Sequence, residues 1–239
     1  MVRDPKKEIN DLVRDVKVGR IPAEEAWDHI KGLKVEYVEK YRQQSWNVFI
    51  GNKFEEIIHA TLKVYVAKLI KEHGDFKGLT VLTGDEAKSH PVISRKLAVR
   101  YGDFLLLPDV DSVIVWLDLR KPRESWESEV IAIASCKTSL RERIAQACYW
   151  KLKLLSTDVQ KGIRVFLATA DNDEDFFIKK GKERYEGKSR DRVIAEYELD
   201  GVYILRSDFE PAWQSHKVKR LERILEDLIE LMRNRQTHK

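Results

Sequence analysis

The chain has 239 residues, of which 43% are hydrophobic and 35% are charged. Its 44 lysines and arginines barely outnumber its 40 acidic residues, so any surface that binds nucleic acid must be a local one. Two cysteines exclude a disulfide framework, and no apolar run is long enough to cross a membrane. The N-terminus is charged rather than a signal peptide, and with only two cysteines we expect a protein of the reducing cytoplasm. A high charge content with few cysteines and methionines is typical of thermophile proteins.

The first part of the chain is predicted to be helical. Residues 3–17 and 22–33 read as short helices, and residues 44–73 read as a longer one. We therefore expect an N-terminal helical segment over residues 1–43 and a single globular unit over residues 44–239.

The long helix carries two adjacent acidic residues with different surroundings. Helical spacing puts Glu55 in line with an apolar stripe, whereas Glu56 falls on a wetter face. The stripe consists of Ile58, Leu62, Tyr65 and Leu69. A glutamate that faces inward needs a partner, because an unpaired buried carboxylate is costly. Glu55 is therefore a candidate metal ligand, with a solvent-facing place at the edge of the stripe as the alternative.

The rest of the chain alternates between strand and helix patterns. Strands are predicted over residues 79–83, 104–107, 112–117, 129–136, 163–168 and 201–205, and helices over residues 140–155 and 214–235. The charged residues 118–128 fit a hairpin connection, and the basic stretch 179–192 reads as a loop. This alternation predicts an α/β fold: a mixed central sheet flanked by helices, with the N-terminal helical segment before it and a long C-terminal helix after it.

Acidic residues and a lysine fall at the ends of two predicted strands. Pro108-Asp109-Val110-Asp111 precedes one strand, and Ser135 and Lys137 lie at the end of another. Alternation along a strand puts Ser135 and Lys137 on the same side. If the two strands are neighbours, Asp109 or Asp111 comes close to Lys137 at one edge of the sheet. A turn residue and a solvated strand end are the plain alternatives.

This combination suits phosphodiester hydrolysis. Mg²⁺ takes hard oxygen ligands, usually one or two carboxylates together with water and phosphate oxygens. The metal activates the attacking water, and a nearby lysine positions the nucleophile or stabilises negative charge. Asp109, Asp111 and Glu55 are therefore the candidate metal ligands, and Lys137 and Ser135 are the other candidate catalytic residues.

A second motif opens the next predicted helix. Ser139-Leu140-Arg141-Glu142 matches a capping box, which is the plain reading of Glu142. It leaves Arg141 and Arg143 unexplained, because cations at a helix N-terminus oppose the helix dipole. Arginine pairs with guanine O6 and N7, and glutamate accepts from cytosine N4, so this Arg-Glu-Arg motif is a candidate for reading C·G pairs in double-stranded DNA. Gln146, one turn on, is a further candidate DNA contact, and salt bridging within the protein is the alternative for the arginines.

Together these residues resemble the PD-(D/E)xK nuclease superfamily, and within it the type II restriction endonucleases for sites containing CCGG, CCNGG or CCWGG. The shared pattern is Pro-Asp, then a strand ending in Ser-x-Lys, then Lys-x-x-x-Arg-(Asp/Glu)-Arg. In this chain these are Pro108-Asp109, Ser135–Lys137 and Lys137–Arg143, so the resemblance covers about residues 50–155.

The resemblance implies a restriction-endonuclease-like fold and Mg²⁺-dependent cleavage of both DNA strands by a homodimer. It implies that the Arg-Glu-Arg motif (Arg141, Glu142, Arg143) reads C·G pairs. The Pro-Asp pattern favours Asp109 as the key acid, although Asp111 directly precedes the strand. Glu55 would match the helix glutamate that many superfamily members supply to the metal site.

The sequence departs from this family at the metal site. Ser135 stands where the usual third acidic residue would be. Trp150 occupies the position thirteen residues after Lys137, where related enzymes often carry a compensating glutamate. These departures put more weight on Glu55. Cys136 is expected to be a small core residue rather than a nucleophile, because alternation points it away from Lys137.

Two other functions stay open at this point. One is a repair or mobile-element nuclease of the same superfamily, with structural rather than sequence specificity. The other is a DNA-binding module that keeps the fold without catalysis. The apolar face of the C-terminal helix is a candidate for the homodimer contact, with the chain's own core as the alternative.

Overall fold

The computed structural model describes residues 4–140, 143–157, 160–176 and 187–237. Its helices are α1 (Pro5–Lys17), α2 (Ala23–Gly32), α3 (Lys34–Tyr41), α4 (Gln43–Glu72), α5 (Gly84–Ser89), α6 (Pro91–Leu97), α7 (Arg143–Leu155), α8 (Arg190–Glu198) and α9 (Ile224–Thr237). Its strands are β1 (Leu79–Thr83), β2 (Val99–Tyr101), β3 (Phe104–Leu106), β4 (Ser112–Trp116), β5 (Glu129–Lys137), β6 (Arg164–Thr169), β7 (Gly201–Ile204) and β8 (Val218–Arg220). Within these described residues, no helix combines the length and the apolar character needed to cross a bilayer.

A six-stranded mixed sheet forms the centre of the fold, in the order β1-β4-β5-β6-β7-β8. Strands β1, β4 and β5 are antiparallel neighbours, whereas β5, β6, β7 and β8 run parallel. Strands β2 and β3 form a separate hairpin. The carboxyl ends of β5, β6 and β7 therefore lie at one edge of the main sheet, beside the beginning of β4.

Helices cover both faces of this sheet. Helices α1 to α4 and α9 pack on one face, where they meet residues such as Ile114 and Phe166. Helices α6, α7 and α8 pack on the other face, against residues such as Val113 and Val165. Because successive strand residues point to opposite faces, both faces are apolar and buried. The predicted fold class, a mixed central sheet flanked by helices, is confirmed.

The N-terminal helices share their core with the sheet. Ile9 and Tyr37 are fully buried, and the ring of Trp27 packs edge-on against the ring of Phe54 of α4, with 4.8 Å between centroids. The boundary predicted between residues 43 and 44 falls at the start of α4. That it separates a segment from a globular unit stays a prediction.

Several predicted elements match and others were missed. The strands predicted at 79–83, 112–117, 129–136, 163–168 and 201–205 correspond to β1, β4, β5, β6 and β7, and the charged residues 118–128 do connect a hairpin. Helices α3, α5, α6 and α8 and strands β2 and β8 were not predicted. The first three of these helices are short, with eight, six and seven residues, so their sequences show little periodicity. Of the predicted loop 179–192, residues 179–186 lie outside the described residues, and α8 begins at Arg190.

The C-terminal helix was predicted to start at residue 214 but starts at Ile224. The residues before it form β8, which pairs with β7, and then a 3₁₀ turn over Leu221–Arg223. Leu221 continues the apolar spacing of the helix through that turn, which made the predicted helix too long. The apolar face of α9 lies in the chain's own core, where Leu228 and Met232 are buried.

Candidate active site

Lys137 and Asp111 meet where β5 ends and β4 begins. Nζ of Lys137 lies 3.1 Å from Oδ2 of Asp111, and the backbone N–H of Cys136 donates to the same oxygen at 2.6 Å. The pairing register explains this contact, because Ser112 lies opposite Ala134 and the residue before Ser112 then reaches the end of β5. Only 11% of the Lys137 side chain and 13% of the Asp111 side chain are exposed, so solvent screens this ion pair weakly.

Glu55 is the third charged group at this edge of the sheet. It lies half-buried on α4, and burial raises the pKa of its carboxyl group above the usual value. Repulsion from Asp111 raises this pKa further, while Lys137 and Arg143 act in the opposite direction. Burial is the largest cause of this rise in the pKa, and the two neighbouring cations do not reverse it.

A cleft with a volume of about 470 Å³ opens beside these groups. Its charged lining residues are Lys17, Glu55, Glu56, Asp85, Lys88, Asp109 and Asp111. Five of these are carboxylic acids and two are lysines. The cleft is therefore acidic, and a phosphate group entering it would need a cation beside it.

The two acids of the segment 109–111 have different surroundings. Asp111 contacts Lys137, as described above. Asp109 is exposed at the rim, where Nε2 of Gln146 donates to its Oδ2 at 3.3 Å. The geometry thus brings Asp111 to the lysine and Asp109 to the glutamine.

The remaining predicted residues of β5 divide between the two faces of the strand. Ser135 is half-buried, and its backbone pairs with Leu167 of β6. Cys136 is buried in the core on the other face, where burial raises the pKa of its thiol well above the usual value. The thiol is therefore held protonated, which fits a core residue and not a nucleophile. Trp150 packs against the apolar core on the α7 side and supplies no carboxylate.

Only part of the predicted recognition motif lies within the described residues. Arg143 is the first residue of α7 and is exposed, close enough to Glu55 for its charge to lower the pKa of that glutamate. Gln146 is exposed one turn further along the same helix. Arg141 and Glu142 lie outside the described residues, and so does the predicted capping box that includes Glu142.

Two residues contribute to the site without having been predicted. Nδ1 of His59 forms a hydrogen bond with Oγ of Ser112 at 3.1 Å, next to Asp111. Gly84 packs so closely on the segment 109–111 that a Cβ atom there would lie 2.1 Å from the carbonyl oxygen of Val110. His59 follows Glu55 by one helical turn, which the sequence does reveal. The contact of Gly84 depends on tertiary packing and leaves no sequence signal.

The residues present fit one kind of metal site and not another. Among the residues that the structure describes, no group of three or more His, Cys, Asp or Glu side chains could hold a metal ion. An all-protein cage is therefore not supported. Mg²⁺ commonly takes only one or two carboxylates, with water and phosphate oxygens as its other ligands. Asp111 and the half-buried Glu55, which line the same acidic cleft, fit that second arrangement.

Comparison with known proteins identifies the family of this chain. Residues 89–227 match the family described as BsaWI restriction endonuclease type 2. The type II restriction enzyme MjaVIP of Methanocaldococcus jannaschii is 33% identical over 231 residues, which cover 90% of this chain and 92% of the relative. The type II restriction enzyme HpyAORF263P of Helicobacter pylori is 32% identical over 155 residues, which cover 64% of this chain and 74% of the relative.

A solved structure agrees at the level of the fold. The specific restriction endonuclease AgeI, in its complex with DNA, superposes with a TM-score of 0.53 at 14% identity, covering 95% of this chain and 91% of that chain. The fold is thus that of a restriction-endonuclease-like α/β protein. The chain belongs to the type II restriction endonucleases, in the BsaWI family, and is a site-specific endonuclease.

Proposed function

We propose that this protein makes Mg²⁺-dependent double-strand cuts at a short palindromic DNA site that contains C·G pairs. The observation that carries the proposal is the contact of Lys137 with Asp111 at the end of a central strand, with Glu55 beside them. A cation, two carboxylates and an acidic cleft are what hydrolysis of a phosphodiester with a divalent metal requires.

Asp111 and Glu55 are the residues that would hold the metal in this proposal. Mg²⁺, when bound, would neutralise charge on the scissile phosphate and lower the pKa of a coordinated water. Oδ2 of Asp111 accepts from the Cys136 N–H and from Lys137, which fixes the orientation of this carboxylate before any ligand binds. Asp109, which lies at the rim and accepts from Gln146, is not a metal ligand in this proposal.

Lys137 has two tasks in this proposal. Its ammonium group is held by Asp111 in a largely water-excluded position, so it is oriented in advance toward the place where negative charge develops on the phosphate. The same group orients the attacking water through a hydrogen bond. Ser135 lies two residues before Lys137, on the same side of β5. It borders the site but carries no charge that could replace the usual third acid.

The N-terminal end of α7 is the proposed recognition element. Arg143 is exposed there, and its charge acts on Glu55, the proposed metal ligand. We propose that Arg141 and Arg143 donate to guanines, that Glu142 accepts from cytosine, and that Gln146 contacts the DNA beside them. More specifically, we propose that the recognised DNA site contains CCGG, CCNGG or CCWGG.

We further propose that the active species is a homodimer, because a two-fold assembly reads a palindrome and cuts both strands symmetrically. An exposed apolar surface supports this. The three residues of β3 are 72%, 66% and 49% exposed at Phe104, Leu105 and Leu106, an unusual amount of apolar side chain for a monomer surface. Sedimentation velocity tests it: a dimer is expected for the wild type and a monomer for Leu105→Lys, whereas a monomeric wild type that still cuts both strands contradicts it.

Digestion of a plasmid tests the proposed activity as a whole. The protein is incubated with supercoiled plasmid in Mg²⁺, and the ends of the products are sequenced. We expect discrete fragments whose ends share one short sequence with C·G pairs, and no cutting in EDTA. A smear, or cutting only at branched DNA, would instead indicate a nuclease with structural specificity.

A further inference from the structure

We propose that His59 is a positioning residue for the cleavage reaction, because its hydrogen bond to Ser112 holds the helix that carries Glu55 against the strand that follows Asp111. This inference rests on the proposed function. Neither His59 nor Ser112 belongs to the predicted catalytic residues.

The bond joins two elements that carry the proposed metal ligands. Glu55 and His59 are four residues apart on α4, so they lie one above the other on the same face of the helix. Ser112 is the first residue of β4 and directly follows Asp111. His59 is therefore one helical turn from Glu55, and Ser112 is one residue from Asp111. Glu55 and Asp111 are the two proposed metal ligands.

The His59–Ser112 bond differs in kind from the apolar packing between α4 and the sheet. Among the residues that the structure describes, it is the one side-chain hydrogen bond between α4 and the central sheet. Apolar side chains of α4, such as Ile58 and Leu62, also pack in the core that this helix shares with the sheet. Apolar packing resists separation of the layers but gives little directional constraint, whereas a hydrogen bond fixes a direction.

Burial makes the constraint effective. Ser112 is fully buried, and the bond therefore does not exchange readily with water. Removing the imidazole of the half-buried His59 leaves the buried hydroxyl group of Ser112 without this hydrogen bond, which is costly. A small rotation or shift of α4 would then move Glu55 relative to Asp111.

The second ring nitrogen of His59 provides the internal control. Nε2 is buried and has no hydrogen-bond partner among the described residues. If His59 acts by bracing, only Nδ1 matters. If it acts on a ligand in the cleft that it lines, Nε2 matters instead.

Two substitutions separate these nitrogens. The amide group of asparagine lies near the position of Nδ1, and that of glutamine lies near the position of Nε2. We therefore expect His59→Asn to retain the bond to Ser112, and His59→Gln and Ser112→Ala to lose it. The wild type and the three variants are compared by single-turnover cleavage of the plasmid in Mg²⁺ and by plasmid binding in EDTA.

We expect His59→Gln and Ser112→Ala to slow cleavage about ten- to a hundredfold, as is usual when a group that orients a metal ligand is lost, with little change in binding. His59→Asn is expected to stay within a few fold of the wild type, and the double variant His59→Gln with Ser112→Ala to be no slower than the worse single variant. Loss of activity in His59→Asn with retention in His59→Gln would overturn the bracing role, as would equal rates in all variants.

Hydrogen–deuterium exchange tests the brace without DNA. We expect faster exchange of the backbone amides around Glu55 in Ser112→Ala and His59→Gln, but not in His59→Asn. If the wild type cuts no DNA, the proposed function fails, and the exchange pattern still decides whether the bond holds α4 in place. Unchanged exchange in all three variants would overturn the inference even if the enzyme is active.

Discussion

Lys137 and Asp111 form a nearly buried ion pair between neighbouring strands, with 3.1 Å between Nζ and Oδ2. The pair lies at the edge of the sheet where β5 ends, and Glu55 approaches it from α4. A buried pair of this kind adds little to stability, because desolvation of both charges offsets their attraction. Its position at an acidic cleft instead supports the proposed catalytic role.

Exchange of each acid of the segment 109–111 for its amide separates their roles. We expect Asp111→Asn to lower the single-turnover cleavage rate at least about a hundredfold, because it removes a charge beside the reacting groups while keeping the shape. Asp109→Asn, the matched control at the rim, is expected to lose less than about tenfold. Equal losses, or a larger loss in Asp109→Asn, would show that the geometry assigns the wrong aspartate.

The tight contact of Gly84 predicts a packing effect on the same segment. A methyl group at Gly84 would lie 2.1 Å from the carbonyl oxygen of Val110, so Gly84→Ala must displace the chain next to Asp111. We expect a loss of about 1–3 kcal/mol in the free energy of unfolding, together with slower cleavage. Urea denaturation and plasmid cleavage measure the two effects.

Gly51→Ala is the control for this substitution. Gly51 lies within α4, and an added Cβ atom meets nothing within 4 Å. The alanine is expected to stabilise the protein by about 0.5–1 kcal/mol through helix propensity. A Gly84→Ala protein as stable and active as the wild type would show that the segment 109–111 tolerates displacement.

The sequence was informative where local periodicity decides the structure. The apolar run before Lys137 predicts a strand that ends near this lysine, and β5 does end at Lys137. The choice between Asp109 and Asp111 depends on which residue of the neighbouring strand lies beside Lys137. That is a matter of strand register, which the Pro-Asp pattern does not encode. Because β4 starts at Ser112, the residue directly before it reaches the lysine.

Other features of the site arise only from tertiary packing. The pairing of β4 with β5 shifts between Ile114 and Val115, so that one extra residue is accommodated in β5. This irregularity puts Ile131 and Ala132 in the same core, contrary to simple alternation. The contact of His59 with Ser112 spans 53 positions of the chain and has no local signature.

Asp171 predicts a pH dependence of stability. It is fully buried in the turn after β6, where its carboxylate accepts from the backbone N–H groups of Asp175 and Phe176. Burial outweighs these hydrogen bonds and raises the pKa of Asp171 to about 6. The folded state thus binds this proton more tightly than the unfolded state does. The associated stability is present below about pH 4 and is lost as the pH rises through 6.

The expected loss from this one group between pH 4 and pH 7 is up to about 3 kcal/mol. Urea denaturation at pH 4.5, 5.5 and 7 measures it. Asp171→Asn removes the titration, so its unfolding free energy should lack this component of the pH dependence, although one hydrogen bond is lost as well. Parallel curves for the wild type and Asp171→Asn would contradict the assignment.

Arg143 predicts a loss of sequence discrimination. If it donates two hydrogen bonds to a guanine, Arg143→Ala should reduce the preference for the cognate site by about 1–3 kcal/mol, and leave weak binding that falls with salt. Competition binding with the mapped site and a substituted site measures this. Arg233→Ala, which alters an exposed arginine on α9, is the control and should keep the preference. An unchanged preference in Arg143→Ala would exclude the proposed contact.

Cleavage of plasmid DNA by Lys137→Ala in Mg²⁺ tests the central claim most directly. We expect this variant to bind DNA in EDTA about as well as the wild type but to cut at least about a hundredfold more slowly, because it lacks the cation that orients water and stabilises charge. Lys68→Ala, an exposed lysine on α4, should cut at the wild-type rate. Cleavage by Lys137→Ala at the wild-type rate would contradict the assignment of the Lys137–Asp111 edge as the active site.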